Sequence, residues 1–230
     1  MSQLALPLRL ADHAVFASFL DAGNETLVAT LTAIAAGEQG EGCWFWGGTA
    51  TGKTHLLQAV CDRAGDRSVY VPLAMLAAAG PAILEGLGER ELVCIDDMER
   101  VAAEPDWELA LFGLCNELAD AGGQLVVAAG AAPRECGFNL ADLESRLSRL
   151  PVFQVHALDE QQRATALELR AKHRGLELPD ETAAYLLRHS RRDMASLYEL
   201  LAKLDLEALR AKRRLTIPFV RDVISQRGTE

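Results

Sequence analysis

Residues 47–54 read Gly47-Gly48-Thr49-Ala50-Thr51-Gly52-Lys53-Thr54, directly after the apolar run Cys43 to Trp46 and directly before the helical pattern THLLQAVC. The eight residues fit G-x-x-x-x-G-K-[ST] in full, and strand, glycine-rich loop and helix follow in the order that such a loop requires. A loop so placed turns its backbone N–H groups inward, and the helix N-terminus behind it adds a positive dipole. That is a cradle for the phosphates of a nucleotide, formed by Gly47 to Thr54 with His55 next to it. Within it Lys53 would reach the β- and γ-phosphates, and the Thr54 hydroxyl would ligate Mg²⁺.

The surrounding pattern alternates short apolar runs with helical stretches. Candidate strands are Cys43 to Trp46, Ser68 to Val71, Leu92 to Ile95, Gln124 to Ala129 and Val152 to Val155. Short, continuous and apolar, they read as strands of a parallel sheet buried on both faces. Helical patterns near residues 53–64, 74–87, 106–121 and 139–149 lie between them, so the expected fold is an α/β domain with a five-stranded parallel sheet. After Val155 strand signals stop. Asp159 can cap a helix ending near Gly175, Pro179 and Asp180 open a second, a third spans about Asp193 to Arg213, and Pro218 begins a last, which makes a small all-helical domain.

A second chemical element supports the loop. Leu92-Val93-Cys94-Ile95-Asp96-Asp97 is an apolar strand ending in two carboxylates, the form of a Walker B segment. There Asp96 would hold the Mg²⁺ shell and Asp97 would orient a water.

Charge narrows the partners. Of the net −10, residues 1–156 carry 9 Lys and Arg against 21 Asp and Glu, or −12, and residues 157–230 carry 14 against 12, or +2. The acidic larger part would repel phosphate backbones. The run Lys212-Arg213-Arg214 fits a solvated helix end as well as a nucleic-acid contact. With no apolar run near the roughly 18–20 residues that span a bilayer, and no secretory pattern at the N-terminus, a cytoplasmic protein without membrane contact is expected. Five scattered cysteines without a C-x-x-C pair suggest neither zinc nor a disulfide framework.

Together, GGTATGKTHLLQAVC, LVCIDDMERV, LESRLSRLPVFQV and the helical end resemble the DnaA-related AAA+ family, most of all its Hda branch of DnaA regulators. The resemblance runs from FASFLDAGNETLVATL to LTIPFVRDVI. It implies an AAA+ P-loop NTPase fold, with a nucleotide-binding α/β domain at 13–156 and a helical lid at 157–230. Residues 1–12 become a tail in which Gln3, Leu4, Leu6, Pro7 and Leu8 resemble the peptide that docks in the DNA polymerase III β sliding clamp. It further implies Arg146 as an arginine finger, Arg192 as the sensor 2 arginine with Arg191 as the fallback, and Val15 and Phe16 near the adenine. An exposed face shared by Arg146, Arg149 and Glu144, and core packing of Val15 and Phe16, fit those residues too. The initiators of the family carry a further DNA-binding domain that has no counterpart after the lid here, so direct origin recognition is not expected.

One position departs from the family: Gly130 stands where sensor 1 has a polar side chain. The expectation is a protein that holds ADP or ATP with Mg²⁺, hydrolyses it weakly or not at all, and promotes hydrolysis on DnaA in trans. It would meet DNA only through the clamp. A homo-oligomer stays open. A helicase loader or transposition-helper ATPase of the same superfamily, and a small-molecule kinase, are the competing readings.

Overall fold

A computed structural model describes residues 14–38, 40–190, 193–211 and 213–225. The tail residues Gln3, Leu4, Leu6, Pro7 and Leu8, and the lid arginines Arg191 and Arg192, lie outside the described residues.

The chain forms α1 (Glu25–Ala36), β1 (Gly42–Trp46), α2 (Lys53–Ala64), β2 (Ser68–Pro72), α3 (Leu73–Leu76), β3 (Leu92–Asp96) and α4 (Pro105–Ala121). Then come β4 (Gln124–Ala129), α5 (Ala141–Leu147), β5 (Val152–Gln154), α6 (Glu160–His173), α7 (Asp180–His189), α8 (Met194–Ala211) and α9 (Ile217–Ser225). All strand pairs are parallel and the sheet order is β2-β3-β4-β1-β5. β4, late in the chain, therefore sits between β1 and β3, so the loops leaving β1, β4 and β3 stand side by side.

Alternating residues of the three central strands feed two cores. Trp44, Val93, Ile95, Leu125 and Val127 pack toward α3, α4 and α5, while Cys43, Phe45, Leu92, Cys94 and Val126 pack toward α1 and α2. This two-sided burial is why those strands are apolar apart from Gln124 at the start of β4 and Asp96 at the end of β3. The edge strands differ from the expectation. In β5, Val152 is 42 % exposed and Gln154 is exposed, because an edge strand is covered on fewer sides.

The helical reading of 74–87 is corrected too. Only Leu73–Leu76 is α-helix, followed by 3₁₀ turns at Ala77–Ala79 and Pro81–Leu84. Gly80 has φ +85° and Pro81 lacks an N–H, so the α-helical ladder ends there. The helix read at 139–149 is shorter, Ala141–Leu147. α1 adds a helix beyond those picked out by pattern, its Leu27, Leu31, Ile34 and Ala35 forming one buried face.

In the C-terminal region Asp159 caps α6 in a full capping box with Gln162. Leu167, Leu186, Leu197, Leu201, Leu204 and Val220 form a third, separate core of α6 to α9. Among the described residues no helix is long and apolar enough to cross a membrane, and the five cysteines are free.

One buried polar group sets the position of α5. Glu108 of α4 is 2 % exposed. Its carboxylate accepts the N–H groups of Ala103 at 2.9 Å, Asn139 at 2.9 Å and Leu140 at 2.6 Å. Two loops are thereby tied to α4 at the start of the helix that carries Arg146. Removing a buried acceptor strands its donors, so Glu108→Ala should cost about 3 kcal/mol, whereas Glu108→Gln, which keeps one acceptor oxygen, should cost less. Denaturant midpoints of the two variants check this.

Candidate functional site

The loop after β1 is held by backbone geometry. The Gly47 N–H donates to the Ala129 carbonyl of β4 at 3.3 Å, which fastens the loop to the central strand. At the other end Gly52 has φ +96°, and a Cβ there would approach the Phe19 ring to 2.7 Å. Only glycine satisfies both conditions. Between them Ala50 also takes a positive φ of 60°. Lys53, first residue of α2, donates from Nζ to the Gly47 carbonyl at 2.7 Å and the Gly48 carbonyl at 2.9 Å. Its charge is thus held over the mouth of the loop.

Asp96 closes β3 and is 1 % exposed. Its carboxylate accepts the Tyr70 hydroxyl at 2.8 Å and the Asp97 N–H at 3.1 Å, and the Thr54 hydroxyl also bonds to it. Burial raises the Asp96 carboxyl above the usual range, and the bond from Tyr70 is the strongest opposing influence. Thr54 and Asp96 therefore present adjacent hard oxygens, a donor set that suits Mg²⁺ completed by phosphate and water. Among the described residues no group of three or more His, Cys, Asp or Glu is placed to hold a metal ion. When bound, Mg²⁺ would neutralise phosphate charge. Asp97 follows in the left-handed region at φ 58°, its carboxyl raised by burial and then by Glu99, with Arg100 and Lys53 opposing.

A cavity of about 710 Å³ opens from the loop toward the lid. Thr49 to His55 line one end with Asp97 and Glu99, and Met194, Ala195 and Tyr198 of α8 line the other. Loop, Asp97 and lid thus share one pocket, of the size usual for a nucleotide-sized ligand.

Other expected residues stand elsewhere. Phe19, Leu20 and Asn24 supply the N-terminal wall. Val15 and Phe16 stand behind it, Phe16 against the α1–α2 core and the Val15 carbonyl 3.0 Å from His55 Nε2. Arg146 lies outside the pocket, with its guanidinium 5.9 Å from the centre of the Phe112 ring. At the end of β4 the Gly130 N–H donates to the Glu99 carboxylate at 2.9 Å, which places a carboxylate where the sequence has no polar side chain. Tyr70, Glu99 and the lid residues were not legible as site residues, since no motif spacing links them to the loop.

His55 sits at the meeting of three segments. A carbonyl only accepts, so Nε2 carries the hydrogen toward Val15, and Nδ1 is left to accept from Arg170 Nη1 at 3.4 Å. Burial first, then the charges of Arg170 and His173, pull the imidazole down to about 4.

Residues 159–224 match the protein family described as Hda, lid domain. Domain III of the Thermotoga maritima replication initiation protein DnaA is similar in fold, with a TM-score of 0.76 at 21 % identity over 93 % of this chain and 96 % of that one. AMPPCP-bound DnaA from Aquifex aeolicus gives 0.67 at 20 % identity over 88 % and 68 %. The Holliday junction branch migration motor RuvB of Thermotoga maritima gives 0.63 at 17 % identity over 90 % and 69 %.

Two expectations follow from the geometry. In the parent, ADP at a hundredfold excess over its Kd should add about 2.7 kcal/mol and raise the melting temperature, while Lys53→Ala should lose that shift. The second concerns acid. The His55 pKa lies below its unfolded value, so between pH 6.5 and 4 the unfolded chain binds more protons and stability falls as pH falls. Unfolding of the nucleotide-free protein should show His55 removing roughly 2 kcal/mol by pH 5, and His55→Gln should lack that component.

Proposed function

We propose that the chain is an AAA+ protein related to Hda and DnaA, its lid matching the Hda lid domain and its body folded like DnaA domain III, and that it regulates replication initiation negatively by acting on DnaA. In this reading it holds ADP at Gly47 to Thr54 with Mg²⁺ at Thr54 and Asp96, and docks on the β sliding clamp through Gln3, Leu4, Leu6, Pro7 and Leu8. From there it offers Arg146 to ATP bound on DnaA. It works in the cytoplasm, meets DNA through the clamp, and has Arg192 reaching from the lid to its own nucleotide.

The observation that carries the reading is the place of Arg146. Its guanidinium lies over Phe112 on the α4–α5 side, away from the cavity that the loop and lid enclose. An arginine that cannot serve its own site can serve one on a neighbouring molecule. There a guanidinium stabilises the charge that develops as the γ-phosphoryl group leaves, an effect worth roughly 10³ to 10⁵ in rate. Gly130 supports the other half of the reading, since the position after β4 has no side chain of its own and its N–H is bonded to Glu99.

The test is turnover of labelled ATP preloaded on DnaA, in the presence of clamp loaded on DNA. Arg146→Ala should keep ADP and clamp binding yet lose stimulation, and Lys at that position should rescue poorly, because a point charge cannot make the forked contact. Leu6→Ala with Leu8→Ala should lose clamp binding alone. Full stimulation by Arg146→Ala would exclude the finger.

A further inference from the structure

A buried arginine of the lid is tied to the N-terminal segment and to the helix behind the loop. Arg170 of α6 is 7 % exposed. Its Nη1 donates to the Ser18 hydroxyl at 3.0 Å and lies 3.4 Å from His55 Nδ1, and its guanidinium stands 4.9 Å from the centre of the Tyr198 ring on α8. Ser18 is fully buried and its hydroxyl donates in turn to the Val15 carbonyl at 3.1 Å. We propose that Arg170 is a positioning residue that latches the lid onto the N-terminal segment and the P-loop helix, and so sets how long nucleotide is retained. The inference rests on the nucleotide-binding reading of the loop.

Desolvating a guanidinium is unfavourable until hydrogen bonds and a ring face replace the lost water. Ser18 and His55 come from the body, whereas the Tyr198 ring belongs to the lid. If the lid moves away, Arg170 regains water and loses both body contacts, so closure is a balance of opposed terms rather than a one-sided attraction. A ligand shifts such a balance by its differential contacts with the two states. The cavity has walls from these same elements, namely Phe19 beside Ser18, His55 itself and Tyr198. Nucleotide between body and lid therefore favours the latched arrangement, and the latch favours retained nucleotide by the same factor.

Arginine suits the position because its planar group can donate from one edge and stack by its face. Lysine could not do both. Removing Arg170 should leave the lid folded, since Arg174 of α6 still pairs with Asp205 of α8 at 2.9 Å and the apolar lid core is untouched.

The experiment measures association and dissociation rates of a fluorescent ADP on the full chain by stopped flow. Wild type is compared with Arg170→Ala, Arg170→Lys, Ser18→Ala and the Ser18→Ala, Arg170→Ala pair, with nucleotide-free melting recorded for each. Arg170→Ala should speed dissociation at least tenfold while association changes less than twofold. Lys should restore little of the loss, and the paired variant should be no worse than Arg170→Ala alone, because both substitutions remove one contact. If Arg170→Ala does not stay folded, Ser18→Ala carries the same test. Unchanged dissociation in the folded variants, even with lower melting temperatures, assigns Arg170 a structural role and overturns the proposal. Failure of wild type to bind ADP would overturn the nucleotide reading, and this inference with it.

Discussion

Inserting β4 between β1 and β3 governs where the polar groups of this molecule can stand. Parallel strands send their ends to one side of the sheet, and here three adjacent ends deliver the loop at Gly47, the backbone of Gly130 and the carboxylate of Asp96. The bond from Gly47 N–H to the Ala129 carbonyl joins the first two directly. Once that register is set by two apolar cores, Lys53 and Asp97 need no long side-chain reach to share a pocket. The cores thus do more than stabilise, since a one-residue slip of β4 would turn Val127 and Val126 to the opposite faces and misplace Gly130.

The electrostatics follow from depth. Asp96 is taken out of water at the end of β3, which raises its carboxyl, and the Tyr70 hydroxyl and Thr54 offset part of that cost. A divalent cation placed against this carboxylate would offset the remainder. Where α6 meets the N-terminal segment, Arg170 exchanges water for hydrogen bonds to Ser18 and His55 and for the face of the Tyr198 ring.

Arg146 belongs to neither end. Its helix is anchored at the N-terminus through Glu108, which binds the Asn139 and Leu140 amides, and its side chain rests on Phe112. The side chain is held by a scaffold that stands apart from the pocket.

Local order by itself determined the loop, the Walker B strand and the helical C-terminal region. Gly52, Lys53 and Thr54 act through backbone turns and helix ends, which span only a few residues, and the apolar run before Asp96 reads as a buried strand in any context. The capping of α6 by Asp159 was legible for the same reason, because its partner Gln162 is three residues away. Tertiary structure decided the rest. Exposure of β5 depends on its being an edge, which is a property of strand order. The break in the helix read at 74–87 is local instead, set by Gly80 and Pro81, which outweigh an apolar pattern that fits a helix face. Tyr70 meets Asp96 across 26 residues, Glu99 meets Gly130 across 31, and Arg170 meets Ser18 across 152. No spacing rule carries contacts of that separation, since they come into being only when the sheet is assembled and the lid is seated against it.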